Sequence, residues 1–135
     1  MVRAAVVHGQ GTFVRALRNE LASSDIVLSG VASTASDVLA VVDEFSPQVL
    51  VFDLGLSQAF EALGQLHEQR PDVQVLAITS DDASAERTQA VDLGVTAFVR
   101  SDATANEVAD ALELVAAASA AGLLSPARST RSRMT

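Results

Sequence analysis

Val49-Leu50-Val51-Phe52-Asp53 is an apolar run of β-branched and aromatic residues that ends in a single carboxylate. Unbroken apolar character over this length, with no alternation, reads as a strand covered on both faces. Asp53 then stands where a buried strand reaches the surface. Three further segments share the build: Ala4-Ala5-Val6-Val7 ending at His8, Val75-Leu76-Ala77-Ile78 ending at Thr79, and Ala97-Phe98-Val99 ending at Arg100 and Ser101. A helical pattern follows each one, so the strands are expected to run parallel with their C-terminal ends along one edge. Ligands of open α/β sheets bind at that edge, which makes His8, Gly9, Asp53, Thr79 and Ser101 the candidate site.

Working outward in chain order, Val2 to Val7 is predicted as the first strand and His8-Gly9-Gln10-Gly11 as the turn after it. A helix from Thr12 places Phe13, Leu17 and Leu21 on one apolar face. Ile26 to Val31 is the second strand. Ser36 or Thr34 caps a helix with Val38, Leu39, Val42 and Phe45 inward, and that helix stops before Pro47. The strand Gln48 to Asp53 leads into a helix carrying Phe60, Leu63 and Leu66. Val73 to Thr79 is the fourth strand. The polar residues 80–84 cap a helix that ends near Leu93, with Gly94 past its C-terminus. Ala97 to Arg100 is the fifth strand, and Thr104 with Glu107 has capping-box spacing for a last helix to about Ala121, with Val108, Leu112 and Val115 inward.

Five strand–helix alternations with right-handed crossovers predict an α/β, flavodoxin-like three-layer sandwich around a five-stranded parallel sheet. Residues 1–124 are expected to form one domain. Residues 125–135, rich in Ser, Thr and Arg without periodicity, read as a disordered tail or linker.

The chain has 135 residues, of which 49% are hydrophobic, and its formal charge is −8. That size suits one domain with a real core. The negative charge opposes contact with phosphate backbones, so direct nucleic-acid binding by this chain is not expected. Cysteine is absent, which removes disulfides and thiolate chemistry. With neither a leader nor a membrane-length apolar run, a cytoplasmic protein is expected. All nine basic residues are arginine, so no mechanism here uses a lysine.

In this order the residues resemble the receiver domain of bacterial two-component response regulators, over about residues 2 to 126. The resemblance makes Asp53 the phosphoacceptor position, Thr79 the switch hydroxyl and Phe98 the switch aromatic. Ala97-Phe98-Val99-Arg100-Ser101-Asp102-Ala103 is similar to the family's Gly-Tyr-Leu-Leu-Lys-Asp-Ala, and Leu123-Leu124-Ser125-Pro126 to the end of receivers that precede a helix-turn-helix output domain. There are departures. The two adjacent acidic residues that hold Mg²⁺ in the family are His8 and Gly9 here, and the conserved lysine falls on Ser101, with Arg100 as its basic neighbour. Leu54-Gly55-Leu56-Ser57 lacks the usual proline.

Phosphoryl transfer to a carboxylate is stabilised by metal and fixed cations. Asp53 alone leaves Mg²⁺ short of oxygen ligands, and imidazole does not suit it. Arg100 is expected to point away from its neighbour Ser101. Impaired Mg²⁺-dependent phosphorylation follows as an expectation, with no cofactor and no catalytic residue. Each position also has a plainer reading: a local cap for Asp53, a β-branched strand residue for Thr79, and packing for Phe98. His8 either titrates near neutrality, pairs with Asp53, or is an ordinary loop histidine.

The function implied is an atypical, non-enzymatic receiver that acts through protein contacts. Its partner is a histidine kinase or output domain, or a second copy docked through Val95–Ala121, with control of transcription through a missing output domain. The alternative is a ligand-binding pseudo-receiver that senses a small molecule at the strand C-terminal edge.

Overall fold

The computed structural model describes residues 1–80 and 84–122. The expected tail, the Leu123–Pro126 segment and residues 81–83 of the capping loop lie outside the described residues. Along the chain run β1 (Val2–Val7), α1 (Gly11–Glu20), β2 (Ile26–Ala32), a 3-10 turn (Ala35–Asp37), α2 (Val38–Phe45), β3 (Val49–Asp53), α3 (Ala59–Gln69), β4 (Gln74–Thr79), α4 (Ser84–Asp92), β5 (Val95–Arg100) and α5 (Ala105–Ala120). The five strands form one parallel sheet in the order β2-β1-β3-β4-β5. This is the flavodoxin-like fold expected, and it sets β3 and Asp53 at the centre of the sheet.

Each central strand feeds two cores. Successive side chains of a strand point to opposite faces, so Ala5, Val7, Leu50, Phe52, Val75 and Ala77 pack with α2, α3 and Ala90 of α4. Ala4, Val6, Val49, Val51, Leu76 and Ile78 pack with α1 and α5 on the other face. Full coverage on both sides is why these strands carry no polar alternation.

The helix ends follow their residues. α2 stops at Phe45, where Ser46 turns left-handed (φ 46°) before Pro47. Gly94 takes φ 92° after α4, a region that glycine enters without steric cost. At α5 the capping box is complete: Thr104 Oγ1 accepts from the Glu107 N–H at 3.1 Å, and Glu107 Oε1 accepts from the Thr104 N–H at 2.8 Å.

Some core expectations shift. Val14 and Leu17 are the buried residues of α1 while Phe13 is only half-buried, because Phe13 lies in the first turn, level with the rim of the sheet, and stacks on His8. Val41 replaces Leu39 on the inner face of α2; Leu39 and Phe45 are half-buried and pack against the core from its margin. Thr34 precedes the 3-10 turn, and its hydroxyl donates to Asp37 Oδ2 at 3.0 Å instead of capping a backbone N–H. β5 starts two residues earlier than expected, at Val95. A register shift there leaves Thr96 unmatched, and its hydroxyl donates to Gln74 Oε1 at 2.9 Å.

Candidate functional site

The parallel order brings the ends of β1, β3 and β4 together, and the residues just past those ends make the site. Asp53 closes β3. Its Oδ1 accepts from the Gly55 N–H at 2.9 Å, and the Leu56 N–H reaches its backbone carbonyl at 3.3 Å. One carboxylate oxygen therefore holds the turn after the strand, which is the local cap foreseen for Asp53. The other, Oδ2, faces His8 Nε2 at 3.9 Å, too far for a hydrogen bond.

His8 is held by two contacts. Its Nδ1 accepts from the Gln10 N–H at 3.0 Å, which leaves the proton of the neutral ring on Nε2, toward Asp53. Phe13 stacks on the ring at 4.3 Å between centroids, with the planes 19° apart. Burial pushes the His8 pKa below the ordinary histidine value, and the Asp53 carboxylate opposes this more weakly. Protonating Nδ1 would also forfeit the Gln10 hydrogen bond. His8 is thus a neutral group at neutral pH.

Gly9 lies beneath Leu56. A Cβ at Gly9 would sit 3.4 Å from Leu56 Cδ2, so an apolar side chain borders the spot from which residue 9 would project.

Thr79 closes β4 and is 3% exposed, and its Oγ1 is buried with no hydrogen-bond partner among the described residues. Its backbone carbonyl accepts from the Ser101 N–H at 2.8 Å, which fixes the chain after β5 against β4. Asp53, Thr79 and Ser101 line one cavity of about 260 Å³ together with Leu54, Gly55, Ser80 and Glu86. His8 and Gly9 are not among its lining residues.

Phe98 and Arg100 belong elsewhere. They line a shallower cleft with Val99, Asp102, Ala103 and Glu107. The Arg87 guanidinium stands 5.1 Å above the Phe98 ring, a cation–π contact. Arg100 is exposed and pairs with Asp102, Nε to Oδ1 at 3.2 Å and Nη2 to Oδ2 at 3.3 Å. It lines this cleft and not the cavity that Asp53 and Ser101 line.

Sequence reasoning missed Glu86, Leu56 and Phe13. Glu86 reads as an ordinary acidic residue in the first turn of a helix, and Leu56 as a loop leucine; only the tertiary arrangement carries them to the site. The spacing of Phe13 from His8, five residues across a tight turn, is the one local signal for their stacking.

A family model for the response regulator receiver domain matches residues 5–113. The response regulator protein VraR of Staphylococcus aureus is 29% identical over 91 residues, covering 66% of this chain and 44% of that protein. The chain thus spans less than half the length of that curated relative. Among solved structures, the receiver domain of the putative response regulator NarL from Mycobacterium tuberculosis superposes with a TM-score of 0.75 at 22% identity, covering 85% of this chain and 95% of that one. The response regulator domain of Thermotoga maritima CheB gives 0.73 at 20% identity, with 84% and 91% covered. These two establish the shared fold, and the family match over most of the folded chain establishes descent: the chain belongs to the response regulator receiver domains, the regulatory domains of two-component signalling.

Proposed function

We propose that this receiver signals through protein contacts and not through Mg²⁺-dependent phosphorylation of Asp53. The packing at Gly9 and His8 carries the reading. Mg²⁺ demands near-octahedral oxygen ligation and is usually held by carboxylates. Here residue 9 has no side chain and Leu56 borders its place. Nδ1 of His8 is engaged by the Gln10 N–H, and one Asp53 oxygen is engaged by the Gly55 N–H. Among the described residues no three His, Cys, Asp or Glu side chains converge on one point. The residues present do not fit the metal that the family uses.

The partner we propose is a histidine kinase, an output domain joined to this one in a longer protein, or a second copy. A solved relative from Staphylococcus aureus is a DNA-binding response regulator of the LuxR family, which favours control of transcription through such an output domain. For a second copy the surface is Val95–Ala121. Leu114 on α5 is 72% exposed there, and the neighbouring Ala117, Ala120 and Ala121 leave room for a close helix–helix approach. No described helix is long and apolar enough to cross a membrane, and a cytoplasmic setting is part of the proposal.

Amide NMR during a Mg²⁺ titration tests the metal half. Gly9, Asp53 and Gly55 are expected to show no saturating shift at millimolar Mg²⁺; a saturating shift confined to them overturns the reading. For the second copy, sedimentation velocity of the wild type and Leu114→Glu is expected to show a concentration-dependent dimer that the substitution abolishes. A wild type that stays monomeric at high concentration removes the second copy from the proposal.

A further inference from the structure

We infer that the groove between the C-terminal ends of α1 and α5, at the opposite edge of the sheet from Asp53, is the docking site of residues 123–135 of this same chain, which lie outside the described residues. The groove has a volume of about 610 Å³. Three carboxylates line it, Glu20, Asp25 and Glu113, and Ile26, Ala116 and Ala120 give it apolar walls. No basic side chain is among the lining residues. Glu20 Oε1 accepts from Asn106 Nδ2 at 2.9 Å, while the side chains of Asp25 and Glu113 have no hydrogen-bond or ion-pair partner among the described residues. The arginines closest in the chain are engaged elsewhere: Arg3 donates to the Phe45 and Ser46 carbonyls, and Arg18 to that of Leu28. Both helices point their C-terminal ends here, and each end carries partial negative charge that favours a cation. The last turn of α5 holds no basic residue.

Residues 123–135 supply what this groove lacks. They carry Arg128, Arg131 and Arg133 and no acidic residue, against three carboxylates. A guanidinium meets a carboxylate with paired N–H donors, and an arginine near a helix end also bonds its last carbonyls. The segment begins at the groove itself. α5 ends at Ala120, which lines the groove, and Gly122 follows at φ 79°, a left-handed turn that takes the chain off the helix axis. The chain from Gly122 to Arg128 spans at most about 20 Å, and α5 from Glu113 to Ala120 about 10 Å, so the arginines reach the carboxylates. Single exposed ion pairs are weak. Tethering at the lip of the groove gives a millimolar effective concentration, under which three weak pairs act together. Another basic segment gains the groove only by displacing this one. Ala117 and Ala120 line the groove and also belong to the surface proposed for a second copy; the inference does not depend on that dimer.

The chain has no cysteine, so Ser132→Cys takes a single nitroxide label. Amide relaxation is measured in the ¹⁵N-labelled full chain, with the native groove and with Asp25→Asn and Glu113→Gln combined, both at exposed positions outside the core. The label is expected to broaden Ser23, Ser24, Asp25 and Glu113, and to leave Gly9, Gly55 and Ser101 at the opposite sheet edge unaffected. Neutralising the two carboxylates, or adding about 1 M NaCl, where the Debye length is about 3 Å, is expected to cut the broadening several-fold. Dilution is expected to leave it unchanged. Broadening confined to the residues next to Gly122, broadening of equal size in the neutralised groove or at high salt, or broadening that falls on dilution and so marks contact between two chains, overturns the inference.

Discussion

Replacing Thr79 by valine removes one buried hydroxyl and keeps the shape of the side chain. The hydroxyl has no partner among the described residues, and Thr79 is 3% exposed. The one bond the structure gives to Thr79 beyond the sheet, from the Ser101 N–H to its carbonyl, is made by the backbone and survives the change. A buried polar group left unsatisfied costs about 1–3 kcal/mol. At the lower end of that range, Thr79→Val should gain about 1 kcal/mol. With a urea slope of about 2 kcal/mol per M for a domain of this size, the unfolding midpoint rises by about 0.5 M. Thr79→Ala is the control. It removes the hydroxyl and also lacks both γ-methyls that valine carries, so its midpoint should fall below that of Thr79→Val by an amount equivalent to about 2 kcal/mol. Urea denaturation followed by far-UV circular dichroism reads all three proteins. A midpoint for Thr79→Val lower than wild type by about 0.3 M or more refutes the reasoning, since the hydroxyl would then be making a stabilising bond.

Four further substitutions test other parts of the structure. His8 has a folded pKa below its unfolded value, so the unfolded chain binds the extra proton and stability is lost as pH falls below about 6.5. The stability of the wild type relative to His8→Asn should therefore decline from pH 7.5 to pH 5, and a flat difference contradicts the buried neutral ring. At Gly30 a Cβ would lie 2.6 Å from Phe45 Cδ2 and 2.9 Å from Val41 Cγ1; Gly30→Ala should cost about 1–3 kcal/mol of overpacking, whereas Gly11→Ala, where nothing lies within 4 Å of the added carbon, should cost far less by the same denaturation measurement. Thr104→Ala removes the acceptor of the α5 capping box and should lower stability by about 1 kcal/mol, with amide exchange at Glu107 accelerating before that of the α5 core residues.

The sheet was readable because its central strands are covered on both faces, and burial of that kind leaves a plain record in β1, β3 and β4. Both turns of a capping box sit within four residues, so Thr104 and Glu107 announced α5 without any tertiary information. Phe13 misled because it has the right spacing for the α1 face, and the competing attraction is a ring, His8, on the other side of a turn. Val95 and Thr96 were left out of β5 because an edge strand, half-buried with a register shift, has neither the apolar run nor the alternation that marks a strand. At the site, the position of Asp53 followed from the strand that carries it. The grouping of Asp53, Thr79 and Ser101 followed from parallel order. What α4 adds through Glu86, what Leu56 does at Gly9 and which hydroxyl lacks a partner all depend on distances between segments far apart in the chain, and nothing in the local sequence encodes them. His67 is a further case: a Cβ at Gly94 would lie 2.5 Å from its Nδ1, so this α3 histidine is packed against the turn after α4.

Intact-mass spectrometry after incubation with acetyl phosphate and Mg²⁺, with Asp53→Asn in parallel and circular dichroism to establish that both proteins are folded, tests the central claim most directly. An unchanged mass in the folded wild type is the predicted result. A gain of one phosphoryl group that Asp53→Asn abolishes would contradict it, and would mean that Asp53 is phosphorylated without the acidic pair whose places His8 and Gly9 occupy.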